Sequence, residues 1–125
     1  MARMTVEEFE EVVLQALERL PEQFRDALHN LDIEVRWRPS LRERRRAGLH
    51  ERGSLFGTYT GIPLTHRGQS YNMALPDKII IYQETHERFC PTREDMVRQA
   101  EKTLLHEIGH YLGMSEQRLR DLGMG

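Results

Sequence analysis

The sequence predicts an α+β fold: a small, mostly antiparallel sheet packed with N-terminal helices and closed by a long C-terminal helix. Three observations predict it. An amphipathic helical period opens the chain, three short strand-like runs fill its middle, and a periodic apolar stripe runs from Met96 to Leu112. With 125 residues, one domain over residues 1–125 with a single core is the expectation.

The elements follow in order. Val6, Phe9, Val13, Leu17 and Leu20 recur at helical spacing, and Thr5 stands as an N-cap before Glu7 and Glu8. Pro21 stops that helix and opens a second, with Phe24, Ala27, Leu28 and Leu31 apolar. "DIEVRW" then alternates, Ile33, Val35 and Trp37 against Glu34 and Arg36, as a strand does. "RPSLRERRRAGLHERG" is too charged for a core element and is expected as a loop. "SLFGTYTGI" is a second strand, the loop "PLTHRGQSYNMALP" follows, and "DKIIIYQET" is the most strand-like run of all. After "HERFCP", Thr92 caps the long helix, whose buried stripe is Met96, Val97, Ala100, Leu104, Leu105, Ile108 and Leu112. Gly113 ends it, and "SEQRLRDLG" adds one more short helical piece.

Composition narrows the function. Charged residues make up 30% and hydrophobic ones 38%, as in ordinary globular chains. No apolar run approaches the roughly 20 residues that span a bilayer, and the acidic, amphipathic start lacks the pattern of a signal peptide. The single cysteine, Cys90, cannot form an internal disulfide, which suits a cytoplasmic setting. A formal net charge of −2 argues against a generally basic nucleic-acid binder.

The chemistry lies on the long helix. His106 and His110 are four residues apart and stack one turn apart on one face. Two imidazoles so placed can meet one zinc ion at about 2.0–2.1 Å each. Glu107 follows the first histidine, where a carboxylate serves as general base toward water rather than as a ligand. A protein zinc site wants at least a third ligand, and spacing alone does not name it.

"HEIGHYLGMSEQRL" resembles the zincin metallopeptidases, and its glycine is similar to that of the metzincin pattern His-Glu-x-x-His-x-x-Gly-x-x-His. More closely, the chain resembles a family of short, mostly bacterial, zincin-like proteins described as candidate zinc metallopeptidases. The likeness takes in "LFGTYTGIPLTHRG", "LPDKIIIYQ" and "TLLHEIGHYLGMSEQRL", most of the chain from about residue 31 onward. It implies a minimal zincin-like fold, with the sheet over the motif helix and a cleft between them. It also implies zinc held by His106 and His110, a base role for Glu107, and a third ligand three residues after Gly113. That position holds Glu116 here, where metzincins carry histidine. Gly113 can take the left-handed turn that swings Glu116 back toward the metal. Glu116 equally suits the role of an N-terminal acid on the next short helix, and Asp121 is a weaker rival ligand.

The expected function is a zinc-dependent hydrolase of the metallopeptidase type, metal-activated water attacking a peptide or amide carbonyl with Glu107 as base. Its partner would be a peptide or protein. One alternative is a zinc-binding module for stability or partner binding with little catalysis. Another is an adaptor for nucleic acid or an acidic protein, built on Arg36, Arg38, Arg42, Arg44, Arg45, Arg46 and Arg52 around Trp37.

Other features divide more evenly. The strand "LFGTYTGI" can form a substrate-holding rim or carry its glycines for a bulge. Tyr59, Tyr71, Tyr82, Tyr111 and His66 are the candidates for oxyanion stabilisation. Cys90 is an inert thiol or an inhibitory metal ligand, while Met114 and Met124 are gap fillers. His29, His50 and His86 are expected to be solvent-exposed, in loops or at helix ends.

Overall fold

A computed structural model describes residues 4–46, 48, 55–61, 64 and 77–123. The elements are α1 (Val6–Glu18), α2 (Glu22–Ala27) with a 3₁₀ turn (Leu28–Asn30), β1 (Asp32–Arg36), α3 (Leu41–Arg46), β2 (Gly57–Thr60), β3 (Lys78–Tyr82), α4 (Gln83–Phe89), α5 (Arg93–Tyr111) and α6 (Glu116–Asp121). The α+β class holds, six helices around a three-stranded sheet among the described residues.

Local chemistry sets the helix starts. Thr5 and Glu8 form a reciprocal capping box on α1, bonding each other's backbone N–H at 3.1 and 2.9 Å. On α5, the Thr92 hydroxyl accepts from the Asp95 N–H at 3.0 Å. The buried stripes of these two helices face each other: Phe9, Val12, Val13 and Ala16 of α1, and Met96, Val97, Ala100, Leu104 and Ile108 of α5. Ile79 and Ile81 of β3 complete that cluster. Burying a side chain of this size contributes about 1.5–3 kcal/mol each, so α1, α5 and β3 anchor the molecule.

Three sequence expectations change. The sheet is mixed rather than mostly antiparallel: its order is β1-β3-β2, with β1–β3 parallel and β2–β3 antiparallel. The physical reason is the long chain between β1 and β3, which gives a parallel crossover the dozen or more residues it requires. The strand expected over "DKIIIYQET" stops at Tyr82, and α4 begins at Gln83. There Gln83 donates to the Met4 carbonyl at 2.9 Å, and Glu84 pairs with Arg88 one turn on at 2.9 Å.

The charged stretch also contains a helix, α3, with no buried residue. Ser40 and Glu43 build its capping box, at 2.8 and 3.1 Å. Ser-x-x-Glu is the available signal for it. The loop predicted before β3 lies, apart from Leu64, outside the described residues, as do His50, Arg52 and Met124.

Candidate metal centre

Helix α5 presents His106 and His110 on the face turned toward β2. Their Nε2 atoms lie 3.0 Å apart. Past the helix end, Glu116 returns to the same point: its Oε1 is 2.9 Å from His110 Nε2 and 3.5 Å from His106 Nε2. Donor atoms sharing a tetrahedral ion at about 2.0–2.1 Å stand about 3.3 Å from one another, so this triangle has the size of a face of such a polyhedron. An Nε2–H can be shared across these contacts, and the same three atoms offer their lone pairs to a divalent ion once that proton is released. As a bare ion pair the contact is worth little, because the Glu116 side chain is 56% exposed.

The return of the chain is built into the end of α5. Gly113 takes φ +86°, the left-handed conformation. Met114 N–H donates to the Gly109 carbonyl at 2.8 Å and Gly113 N–H to the His110 carbonyl at 2.9 Å. That double bond pattern is a Schellman turn. Ser115 then caps α6, its hydroxyl accepting from Arg118 N–H at 3.1 Å. Glu116 is therefore both the first residue of α6 and a neighbour of the histidine pair.

Glu107 completes a second grouping: its carboxylate and the two imidazoles have donor atoms within 4.8 Å of one another. Both glutamates thus reach the pair, but with different ties. Burial pushes the Glu107 carboxyl up to about 8, a backbone hydrogen bond from Tyr59 opposes this, and the Glu116 charge adds to it. Glu107 is thus held by the strand, whereas one oxygen of Glu116 stands close to both nitrogens. Burial, then the adjacent His106, holds His110 below the ordinary imidazole range, which favours the neutral, lone-pair-bearing form that binds metal.

The site opens into a cleft of about 670 Å³ between β2, α5 and the turn into α6, lined by Leu55, Thr58, Tyr59, Met114 and Ser115 beside the two histidines and two glutamates. Among the described residues, β2 is an edge strand of the sheet, and it forms the rim. Gly57 lets it come this near, since a Cβ there would stand 2.7 Å from Thr103 Cγ2 and 2.9 Å from the Ile80 carbonyl.

The remaining predicted residues sort by position. Asp121 lies at the far end of α6, bonded by Gln117 at 2.8 Å, and does not line the cleft. Tyr82 and Tyr111 are buried away from the cleft lining. Tyr59 lines it, with its hydroxyl donating to Asp77 at 2.8 Å. Tyr71 and His66 lie outside the described residues. Cys90 is buried, its thiol pushed up by burial and by Asp95; it neither lines the cleft nor joins the group of donor atoms around the two histidines. Arg36 pairs with Glu43 at 3.0 Å and Arg38 with Glu84 at 2.5 Å.

His86, expected in solvent, is instead fully buried in α4, between Phe9 and Phe56. His29 is exposed as expected. Among the described residues, no helix is long and apolar enough to cross a membrane.

Residues 28–125 match the family described as zincin-like metallopeptidase. No curated protein sequence matches the chain. Among solved structures, a conserved hypothetical protein from Thermo thermophilus is similar, with 25% identity and a TM-score of 0.56, covering 87% of this chain and 94% of its own.

Proposed function

The chain belongs to the zincin-like metallopeptidase family, and on that premise we propose that it is a zinc-dependent hydrolase of peptide or amide bonds. The main support is the triangle of His106 Nε2, His110 Nε2 and Glu116 Oε1, with edges of 2.9 to 3.5 Å, standing beside Glu107 in an open cleft. His106, His110 and Glu116 would hold the metal, a His₂Glu set that leaves a coordination position free. Zinc bound there supplies Lewis acidity, which brings the pKa of water toward about 7 and polarises a carbonyl.

Glu107 takes the proton from the attacking water and passes it to the departing amine. Its hydrogen bond from the Tyr59 backbone fixes the carboxylate at the strand side of the cleft. Without a cation the buried carboxyl keeps its proton; positive charge among the neighbouring donors favours the carboxylate and so the base. The edge strand β2 offers backbone groups along which an extended peptide can lie, which makes a peptide or protein the proposed partner. A cytoplasmic setting accords with the free, buried Cys90.

The small size of the chain, 125 residues, leaves little surface for specificity pockets and favours one other reading, a zinc module that binds a partner without turnover. Glu107→Gln separates the two. It should retain about one zinc per chain and lose roughly 10²–10⁴-fold in hydrolysis of a peptide library. Equal rates for the variant and the wild type would eliminate Glu107 as base and leave the binding module.

A further inference from the structure

Between its motif residues, helix α5 carries Gly109 immediately before His110. Glycine inside a helix costs about 1 kcal/mol relative to alanine, so a structural return is to be sought. A Cβ at position 109 would collide with Leu119 Cδ2 and also meet Leu119 Cγ at 3.5 Å and Cδ1 at 3.6 Å. The whole isobutyl group therefore lies on bare helix backbone. Leu119 has 0% exposure and is the buried residue of α6.

Helix α6 has six residues, too few to hold its own conformation or position in water. Glu116 and Leu119 are three apart and share a face. On that face Leu119 meets Gly109, and Glu116 meets the next residue of α5, His110. The depth to which Leu119 sinks thus sets how far the Glu116 carboxylate reaches.

We propose that Gly109 and Leu119 act as notch and peg, seating α6 on α5 so that Glu116 is delivered to the histidine pair as third metal donor. Both are positioning residues, and the inference rests on the reading of Glu116 as a ligand. Gly113 and Ser115 set the direction of the turn; the notch sets its distance.

The test is zinc affinity by chelator competition, together with the visible absorption of the cobalt(II)-loaded chain, whose intensity reports the coordination geometry. Gly109→Ala should weaken zinc binding roughly 10–100-fold, as loss of a supporting group around a metal does, and should change the cobalt spectrum. A residue that only stabilises the fold would leave that spectrum unchanged. In a Leu119→Ala background the added methyl has nothing to strike, and Gly109→Ala should cost nothing more.

Wild-type affinity for Gly109→Ala, in a protein whose affinity drops on Glu116→Ala, overturns the notch and leaves the ligand reading standing. Unchanged affinity on Glu116→Ala overturns the ligand reading itself, and the notch with it. Should Gly109→Ala not fold, Leu119→Ala alone decides: a loss of about tenfold or more is expected, and wild-type affinity refutes the proposal.

Discussion

Two groups of histidines occupy opposite situations in this molecule. His86 is fully buried, its Nδ1–H donating to the Tyr82 carbonyl at 2.7 Å and its ring packed 5.3 and 5.1 Å from those of Phe9 and Phe56. Burial holds it down to about 4, so it is a neutral core ring whose polar edge is satisfied by backbone. His106 and His110 are 23% and 30% exposed, with Nε2 atoms turned toward each other and toward a carboxylate. What separates structural from chemical histidine is whether the ring nitrogens are consumed by the fold or left converging at a cleft.

The contrast can be broken at three levels. The largest effect is expected from His110→Ala, which removes a donor. Zinc affinity should fall roughly a hundredfold or more, beyond the range for supporting groups, while the urea midpoint of the metal-free chain moves little. Zinc titration paired with urea denaturation checks this, and a large loss of metal-free stability would show that the cleft pair is structural after all.

Next comes pH. His86 has a folded value of about 4 against an ordinary 6.5. Above pH 6.5 it is neutral in both states and carries no penalty. As pH falls from 6.5 to 4 the unfolded chain takes up a proton that the folded one refuses, so stability declines. The total is on the order of 3 kcal/mol, at about 1.4 kcal/mol per pH unit. Urea midpoints of the metal-free chain across that window should show the decline, and His86→Phe should remove its share. A slope untouched by that substitution would place the acid sensitivity elsewhere.

The smallest effect sharpens the boundary between the two environments. Thr103 Oγ1 lies 3.4 Å from His86 Nε2 and donates to the Gln99 carbonyl at 2.9 Å, one turn before His106 on α5. Thr103→Val should cost about 1 kcal/mol of stability, read by thermal unfolding, with zinc affinity unchanged. A drop in zinc affinity would mean that core and cleft are coupled through α5.

Legibility in the sequence follows the range of the forces involved. The capping boxes, the apolar stripe of α5 and the stacking of His106 on His110 are settled within one or two helical turns, and each can be read from spacing. Helix α3 is also written locally, in Ser40 and Glu43, but its charge points to a solvated loop instead. Helix α4 is not legible, because the polar residues "QET" that follow the apolar run of β3 suit a strand end as well as a helix start, and the contacts of Gln83 and Thr85 with Met4 and Leu55 are long-range.

The sequence by itself therefore determined the helix that stacks His106 on His110, its stop at Gly113 and the α+β class, since these rest on periodicity and backbone conformation. Tertiary structure decided the mixed order of the sheet and the burial of His86. It also decided the approach of Glu116 to the histidine pair and the fit of Leu119 against Gly109. Those depend on which surfaces meet across the fold, and a linear pattern records that a residue is apolar or ionisable without recording what it will face.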